Sequence, residues 1–352
     1  MKIEDIIEEN KLDAILVTSP ISIRYLTKFK GTEGLLVVTN EKQYLFVDSR
    51  YYEQAQNECP KAMVILYDSL NLFTKLNQLL RDNRIINCGF EGDKVSVMQH
   101  HNYQRQIQVG LIPISLAKIR MIKTNEELDL IREACRITDE AYLHILDFVK
   151  IGMSEKEVAI ELQKFILDKG AEGLAFETIV ASGVRGSMPH GVASEKLIEE
   201  NDFVTIDFGV FYKGYASDMT RTFLVGQKPN KKMFEIFEVV KQAQARAIEA
   251  IKPGVNAKDI DKIARSYISE KGYSQYFNHG TGHSIGLEIH ELPNVNATSE
   301  VVLEAGHVIT IEPGIYVPKL GGVRIEDDVI VTQAGHVIIN KSSKELIIVD
   351  GR

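Results

Sequence analysis

Two stretches of this chain are copies of one another, and they limit its fold more than any other feature. Lys150-Ile-Gly-Met-Ser-Glu-Lys-Glu-Val, running on to Ile166-Leu-Asp-Lys-Gly170, matches Lys252-Pro-Gly-Val-Asn-Ala-Lys-Asp-Ile, running on to Ile268-Ser-Glu-Lys-Gly272, at an ungapped offset of 102 residues. Val158 meets Ile260 and Phe165 meets Tyr267, so the apolar face stays in register. Each copy reads as a turn leading into a helix that Ser154 or Asn256 caps and Gly170 or Gly272 ends. A chance likeness between two amphipathic helices would not keep both the cap and the terminal glycine. The pattern predicts two related half-domains packed together, with a cleft along the axis between them where a ligand site would lie.

Apolar strands deliver acids into that region. Phe203-Val-Thr-Ile-Asp207-Phe-Gly is one such strand, and after a turn at Lys213-Gly214 comes Ala216-Ser-Asp218-Met-Thr-Arg-Thr-Phe223. Asp207 and Asp218 are therefore expected on two arms of one hairpin. Val308-Ile-Thr-Ile-Glu312-Pro-Gly ends in another acid, and Gly322-Val-Arg324-Ile-Glu326-Asp-Asp-Val holds a fourth. Read as a single strand, the last places Arg324 and Glu326 on one face. Lone buried carboxylates are costly, so four of them need cations. Salt bridges to Arg221, Arg324 and nearby lysines would explain one or two acids, but not why each interrupts a core-type strand.

Between these strands lies His279-Gly-Thr-Gly-His283-Ser-Ile-Gly-Leu-Glu-Ile-His290-Glu, which holds three of the nine histidines. Its glycines let the backbone approach a ligand, and imidazole serves as metal ligand or proton shuttle. By itself the segment also reads as a Gly-rich turn with solvated histidines. Four carboxylates and His283 together make a five-ligand set whose charge balances two divalent ions. Bridging carboxylates hold such ions ~3.5–4 Å apart in hydrolytic sites, where a water is activated at neutral pH. Oxygen-rich ligands favour manganese, with cobalt or zinc as alternatives.

Residues 1–117 alternate short aliphatic strands with helical patterns such as Ser69 to Arg81, which predicts an α/β domain. Asp48, Arg50 and Tyr51 after a strand, and the pair His100-His101, read as surface or interface residues. Thr124 with Glu126 and Glu127 opens a helix expected to run to about Lys150, so the division falls near residue 118. Net charge is −8 with no basic stripe, which argues against nucleic acid as a partner. Cys59, Cys88 and Cys135 are scattered and read as buried thiols of a reducing compartment. The acidic start, Met-Lys-Ile-Glu-Asp, resembles no targeting peptide, and no apolar run reaches the ~18 residues of a membrane span. The expectation is a cytoplasmic protein without a membrane partner.

The motifs Ile-Asp207-Phe-Gly, Ser-Asp218-Met-Thr-Arg-Thr, Gly-Thr-Gly-His283, Glu312-Pro-Gly-Ile-Tyr and Gly-Val-Arg324-Ile-Glu326-Asp-Asp resemble, in order, the metal site of the pita-bread metallopeptidases. The resemblance covers roughly residues 118–352, and residues 1–117 are similar to the creatinase-type domain of aminopeptidase P and prolidase. It implies an α+β pita-bread domain with an internal pseudo-twofold, behind an α/β creatinase-like domain. It implies that Asp207 and Glu326 bridge two ions, Asp218 binds one, and His283 and Glu312 bind the other, with Glu312 also the general base. His190, in Ser-Met-Pro-His-Gly, and His290 match positions that contact substrate and stabilise the tetrahedral intermediate. His279 and Arg324 match further members of the substrate shell. The implied substrates are peptides with proline second, and the implied assembly is a homodimer. Val184-Arg185 depart from the family pattern, and Asn294 stands where many prolidases carry an arginine for the dipeptide carboxylate, which favours Xaa-Pro aminopeptidase over Xaa-Pro dipeptidase activity. A non-catalytic pita-bread binding protein and a metal-free creatinase-like amidinohydrolase are the other readings; the intact acid set argues against both.

Overall fold

The computed structural model describes residues 1–352 and divides into two compact units, Met1–Ile119 and Arg120–Arg352. The expected division lay two residues earlier. In the first unit, six strands form one mixed sheet in the order Met63–Leu66, Gln43–Val47, Leu35–Thr39, Ala14–Val17, Asn87–Glu91, Gly110–Ile114. Both faces of its centre are covered, which explains why these strands are continuously apolar rather than alternating. Ile15 and Val17 pack on one side with Ile3, Ile7 and Ile23, while Ala14 and Leu16 pack on the other with Leu76 and Leu80.

The second unit has two cores, one for each half. The helices Asn125–Phe148 and Glu155–Asp168 cover the strands Ile179–Ser182, Asp202–Phe208 and Met219–Val225, burying Ile137, Ile145, Leu162, Ile206 and Phe223. The helices Lys231–Glu249 and Ala257–Glu270 cover the strands Val308–Ile311 and Asp327–Thr332, burying Val240, Ile260, Ile268, Ile309 and Val329. The two copies match in detail. Ser154 accepts from Glu157 N and Asn256 from Lys258 N, and Gly170 and Gly272 take φ of 88° and 83° past the helix ends. That left-handed conformation is the reason glycine closes both copies.

The correspondence continues where the sequence match has faded. Gly152 N donates to Ile198 O at 2.8 Å, and Gly254 N to Leu303 O at 2.8 Å; Glu155 N donates to Lys196 O, and Ala257 N to Val301 O. The partner segments are thus offset by 105 residues, as Ile198 to Leu303 shows, three more than the offset of the helices. Replacing Ser154 by alanine is expected to cost about 1 kcal/mol, since it removes a reciprocal cap with Glu157. Urea unfolding measures this, and an unchanged midpoint would contradict the role of the cap.

One strand differs from expectation. Gly321–Arg324 pairs with Gly314–Val317 as a separate two-stranded sheet, whereas Asp327–Thr332 belongs to the five-stranded sheet. The chain changes sheets at Ile325-Glu326, so Arg324 and Glu326 do not share a strand face. They converge instead on one hydroxyl, Thr220 Oγ1, at 3.1 Å from Arg324 Nε and 2.7 Å from Glu326 Oε2.

Candidate metal centre and cleft

The acids arrive in matched pairs. Asp207 is the penultimate residue of Asp202–Phe208, and Asp218 immediately precedes its antiparallel neighbour Met219–Val225. Glu312 immediately follows Val308–Ile311, and Glu326 immediately precedes its antiparallel neighbour Asp327–Thr332. All four line one cavity of about 470 Å³ together with His190, His279, His283, His290 and Arg324. Every site residue expected from the sequence is therefore at this cavity.

His283 is oriented for ligation. Its Nδ1–H donates to Ser284 O at 3.2 Å, which leaves the Nε2 lone pair facing Asp218 Oδ2 and Glu312 Oε1, each 3.6 Å away. Those separations are too long for hydrogen bonds and suit donors around a common ion. Burial lowers its pKa to about 4, so the imidazole is neutral and able to bind a metal. Asp218, His283 and Glu326 each bring a ligand atom within 4.8 Å of the others, a carboxylate/His metal site.

The unfilled valences point the same way. Asp207 Oδ1, Asp218 Oδ1 and Glu326 Oε1 are buried with no hydrogen-bond partner. Burial and the neighbouring carboxylates push Asp218 and Glu326 far above the ordinary carboxylate range, and burial pushes Glu312 up to about 8. Orphaned anionic oxygens are expensive in a protein interior. Divalent cations would satisfy them, so the residues present fit such ions.

Around the acids runs a second layer. Arg324 Nη2 donates to Asp207 Oδ2 at 2.5 Å, and its Nη1 to Pro189 O and to Tyr316 Oη at 2.8 Å. His279 Nδ1–H donates to Gly280 O, so its Nε2 accepts from Tyr316 O–H at 2.9 Å. This tautomer follows from the network, and burial, with Arg324's charge, keeps His279 neutral at a pKa of about 4. Although the resemblance places His279 and Arg324 in the substrate shell, their polar atoms are taken up inside the protein. His190 and His290 lie on the same cavity, and His290 stands edge-on to His283 with ring centroids 4.4 Å apart.

Residues 129–333 match the model for metallopeptidase family M24, and residues 1–122 match the creatinase/prolidase N-terminal domain. The chain belongs to metallopeptidase family M24. Among solved structures it is similar to an Xaa-Pro dipeptidase from Bacillus anthracis, with 44% identity, a TM-score of 0.96 and 98% of both chains covered. An X-Pro aminopeptidase from Thermotoga maritima is 34% identical with a TM-score of 0.89, covering 96% of this chain and 98% of that one. A curated Xaa-Pro dipeptidase of Pyrococcus furiosus is 41% identical over 353 residues, covering 98% of each.

Three residues of this M24 chain's site escaped sequence reasoning. Tyr316 stands in the Glu-Pro-Gly-Ile-Tyr motif, but nothing in its spacing distinguished it from a core aromatic. Thr220 reads as an ordinary strand threonine. Asp328, whose Oδ2 accepts from Asp218 N at 2.9 Å and from Cys135 Sγ at 3.1 Å, is the last of an acidic run. An acid at the start of a buried strand was the available signal.

Proposed function

We propose that the chain is a peptidase that hydrolyses the bond between an N-terminal residue and proline, using two divalent ions, with manganese favoured and cobalt or zinc as alternatives. Asp207, Asp218, His283, Glu312 and Glu326 would hold the ions. The observation that carries this is the set of partnerless buried oxygens beside His283 at one cavity. Bound, such ions supply Lewis-acid activation of water and of the scissile carbonyl.

The chain's own residues do the rest. Glu312 takes the proton of the attacking water and returns it to the departing proline nitrogen. His190 and His290 donate to the developing oxyanion. Arg324, fixed by Thr220 and Tyr316, holds the Asp207 carboxylate in its orientation. Phe176, Ile179, Val192 and Ile289 give the cavity an apolar wall that suits a pyrrolidine ring.

Chain length of the substrate turns on Asn294. Arg324 is the one Lys or Arg lining the cavity, and its donors are engaged. The free carboxylate of a dipeptide therefore has no cation waiting for it, which favours Xaa-Pro aminopeptidase activity on longer peptides. The dipeptidase reading draws support from the relatives at 41% and 44% identity that carry that name. Manganese-loaded protein is to be offered an Xaa-Pro dipeptide and an Xaa-Pro-Xaa peptide. Faster cleavage of the longer peptide supports the first reading, cleavage of the dipeptide alone supports the second, and cleavage of neither removes the proline specificity. Asn294→Arg is expected to raise kcat/KM on the dipeptide by roughly 10–100-fold, the worth of a charge-assisted hydrogen bond.

No helix of the protein is long and apolar enough to cross a membrane. Three buried free cysteines support a reducing, cytoplasmic setting. A homodimer is part of the proposal, and light scattering that gives a monomer would remove it.

A further inference from the structure

The loop between the strands Gly282–Ser284 and Glu291–Val295 carries His290 to the cavity, and residues 285–290 have neither helix nor strand. Its backbone is held by Gly286 N on Glu288 O and by Ala216 N on Gly286 O. A buried ionic clamp supplies further restraint. Lys123 Nζ donates to Ser284 Oγ at 3.1 Å and to Glu291 Oε2 at 3.1 Å, so one ammonium ties together both ends of the loop. Ser284 Oγ in turn donates to Val308 O at 2.7 Å, anchoring that end to the sheet. Glu291 Oε1 accepts from Arg120 Nε at 3.0 Å and from Glu288 N at 3.2 Å, and Arg120 also pairs with Glu288.

The clamp is deep and neutral overall: two cations meet two carboxylates, with the side chains of Lys123 and Glu291 only 1% and 3% exposed. Buried ion pairs of this kind contribute little stability beyond what apolar side chains of the same volume would give. What they do give is direction, because each donor accepts few geometries. Even the backbone is shaped around it, since a Cβ at Gly286 would stand 2.5 Å from Glu291 Oε2.

We propose that Lys123, acting through Glu291 and Ser284, is a positioning residue that fixes the direction in which His290 meets the substrate; this rests on the peptidase reading above. Lys123 meets none of the four metal-site carboxylates. Because Ser284 O also accepts from His283 Nδ1, the route through His290 is told from one through His283 by repeating the substitution without His290.

The test is a double-mutant cycle on the full-length, manganese-loaded protein. Lys123→Met is expected to lower kcat about 10–100-fold, with KM moving less. Added to His290→Ala, it is expected to cost nothing more, because the residue it aims is gone. Equal losses in both backgrounds would overturn the proposal, since general loosening of the fold does not depend on His290. Should Lys123→Met fail to fold, Glu291→Gln keeps the size and one acceptor oxygen and carries the same comparison. A parent protein that cleaves no Xaa-Pro peptide would fail the peptidase reading separately. The loop is then read directly, in zinc-loaded protein where no paramagnetic ion broadens the signal, from the Cε1–H resonance of His290, assigned by its loss in His290→Ala. A shift in the clamp variants with the His190 signal unmoved supports positioning; an unmoved His290 signal overturns it.

Discussion

Replacing Glu312 by glutamine is expected to lower kcat on Xaa-Pro peptides by roughly 100- to 10,000-fold while the protein stays folded. Glutamine keeps the size and one oxygen of the side chain, so the strand end after Val308–Ile311 has no reason to move. What it loses is the proton-accepting oxygen and one negative charge among four. Glu312 Oε1 lies 3.6 Å from His283 Nε2, at the point where base and ligand functions overlap. Part of the loss will therefore be weaker ion binding, and titrating manganese separates the two parts. A deficit that saturating manganese fully restores would mean that Glu312 serves as ligand only. A kcat equal to the parent's would remove it from the chemistry altogether.

The second large effect is on stability after chelation. Without cations, burial holds Glu312 at a pKa of about 8 and keeps Asp218 and Glu326 far above their ordinary values. Between the unfolded value of 4.5 for a glutamate and about 8, the native chain thus binds more protons than the unfolded chain. These carboxyls make the metal-free protein lose stability as pH rises through that window, whereas buried histidines such as His279 and His283, neutral down to about 4, act in the opposite sense below 6.5, so the carboxyl effect stands alone above 6.5. Ions reverse the sign of the argument, because they bind the deprotonated carboxylates and displace those protons. Manganese at about a hundred times its Kd adds ~2.7 kcal/mol. For a catalytic unit of this size that corresponds to roughly 5–10 °C in Tm. Thermal unfolding of chelated and loaded protein from pH 6.5 to 8, above the range in which the histidines titrate, checks both statements. A chelated protein whose Tm rises with pH across this range would show that the acids are satisfied without ions.

Much of the site was legible in the sequence because its acids sit in the wrong company. Asp207, Asp218, Glu312 and Glu326 interrupt apolar strands, and burial makes such interruptions costly unless something charged is held. The repeat from Lys150 and Lys252 was legible because capping and glycine geometry are local requirements. Other features depend on partners far along the chain. Arg324 meets Asp207 across 117 residues, and Lys123 meets Glu291 across 168. A lysine in a charged stretch before a helix reads as solvated until tertiary structure closes over it. The change of sheet at Ile325-Glu326 was hidden for a related reason. Alternation shows which way side chains point within a strand, but not where the strand stops belonging to its sheet.

The pairing of acids by halves makes the centre a clasp. Asp207 and Asp218 stand at strand ends of one half, Glu312 and Glu326 at strand ends of the other, so each half brings two of the four carboxylates. Any sliding of one core past the other changes the gap between the pairs, so ion affinity reads out the alignment of the two halves. The same linkage runs backwards: an ion held in the clasp resists the parting of the halves as long as it stays bound. The chemistry and the seam of this fold are in that sense one structure, and loosening either should be felt in the other.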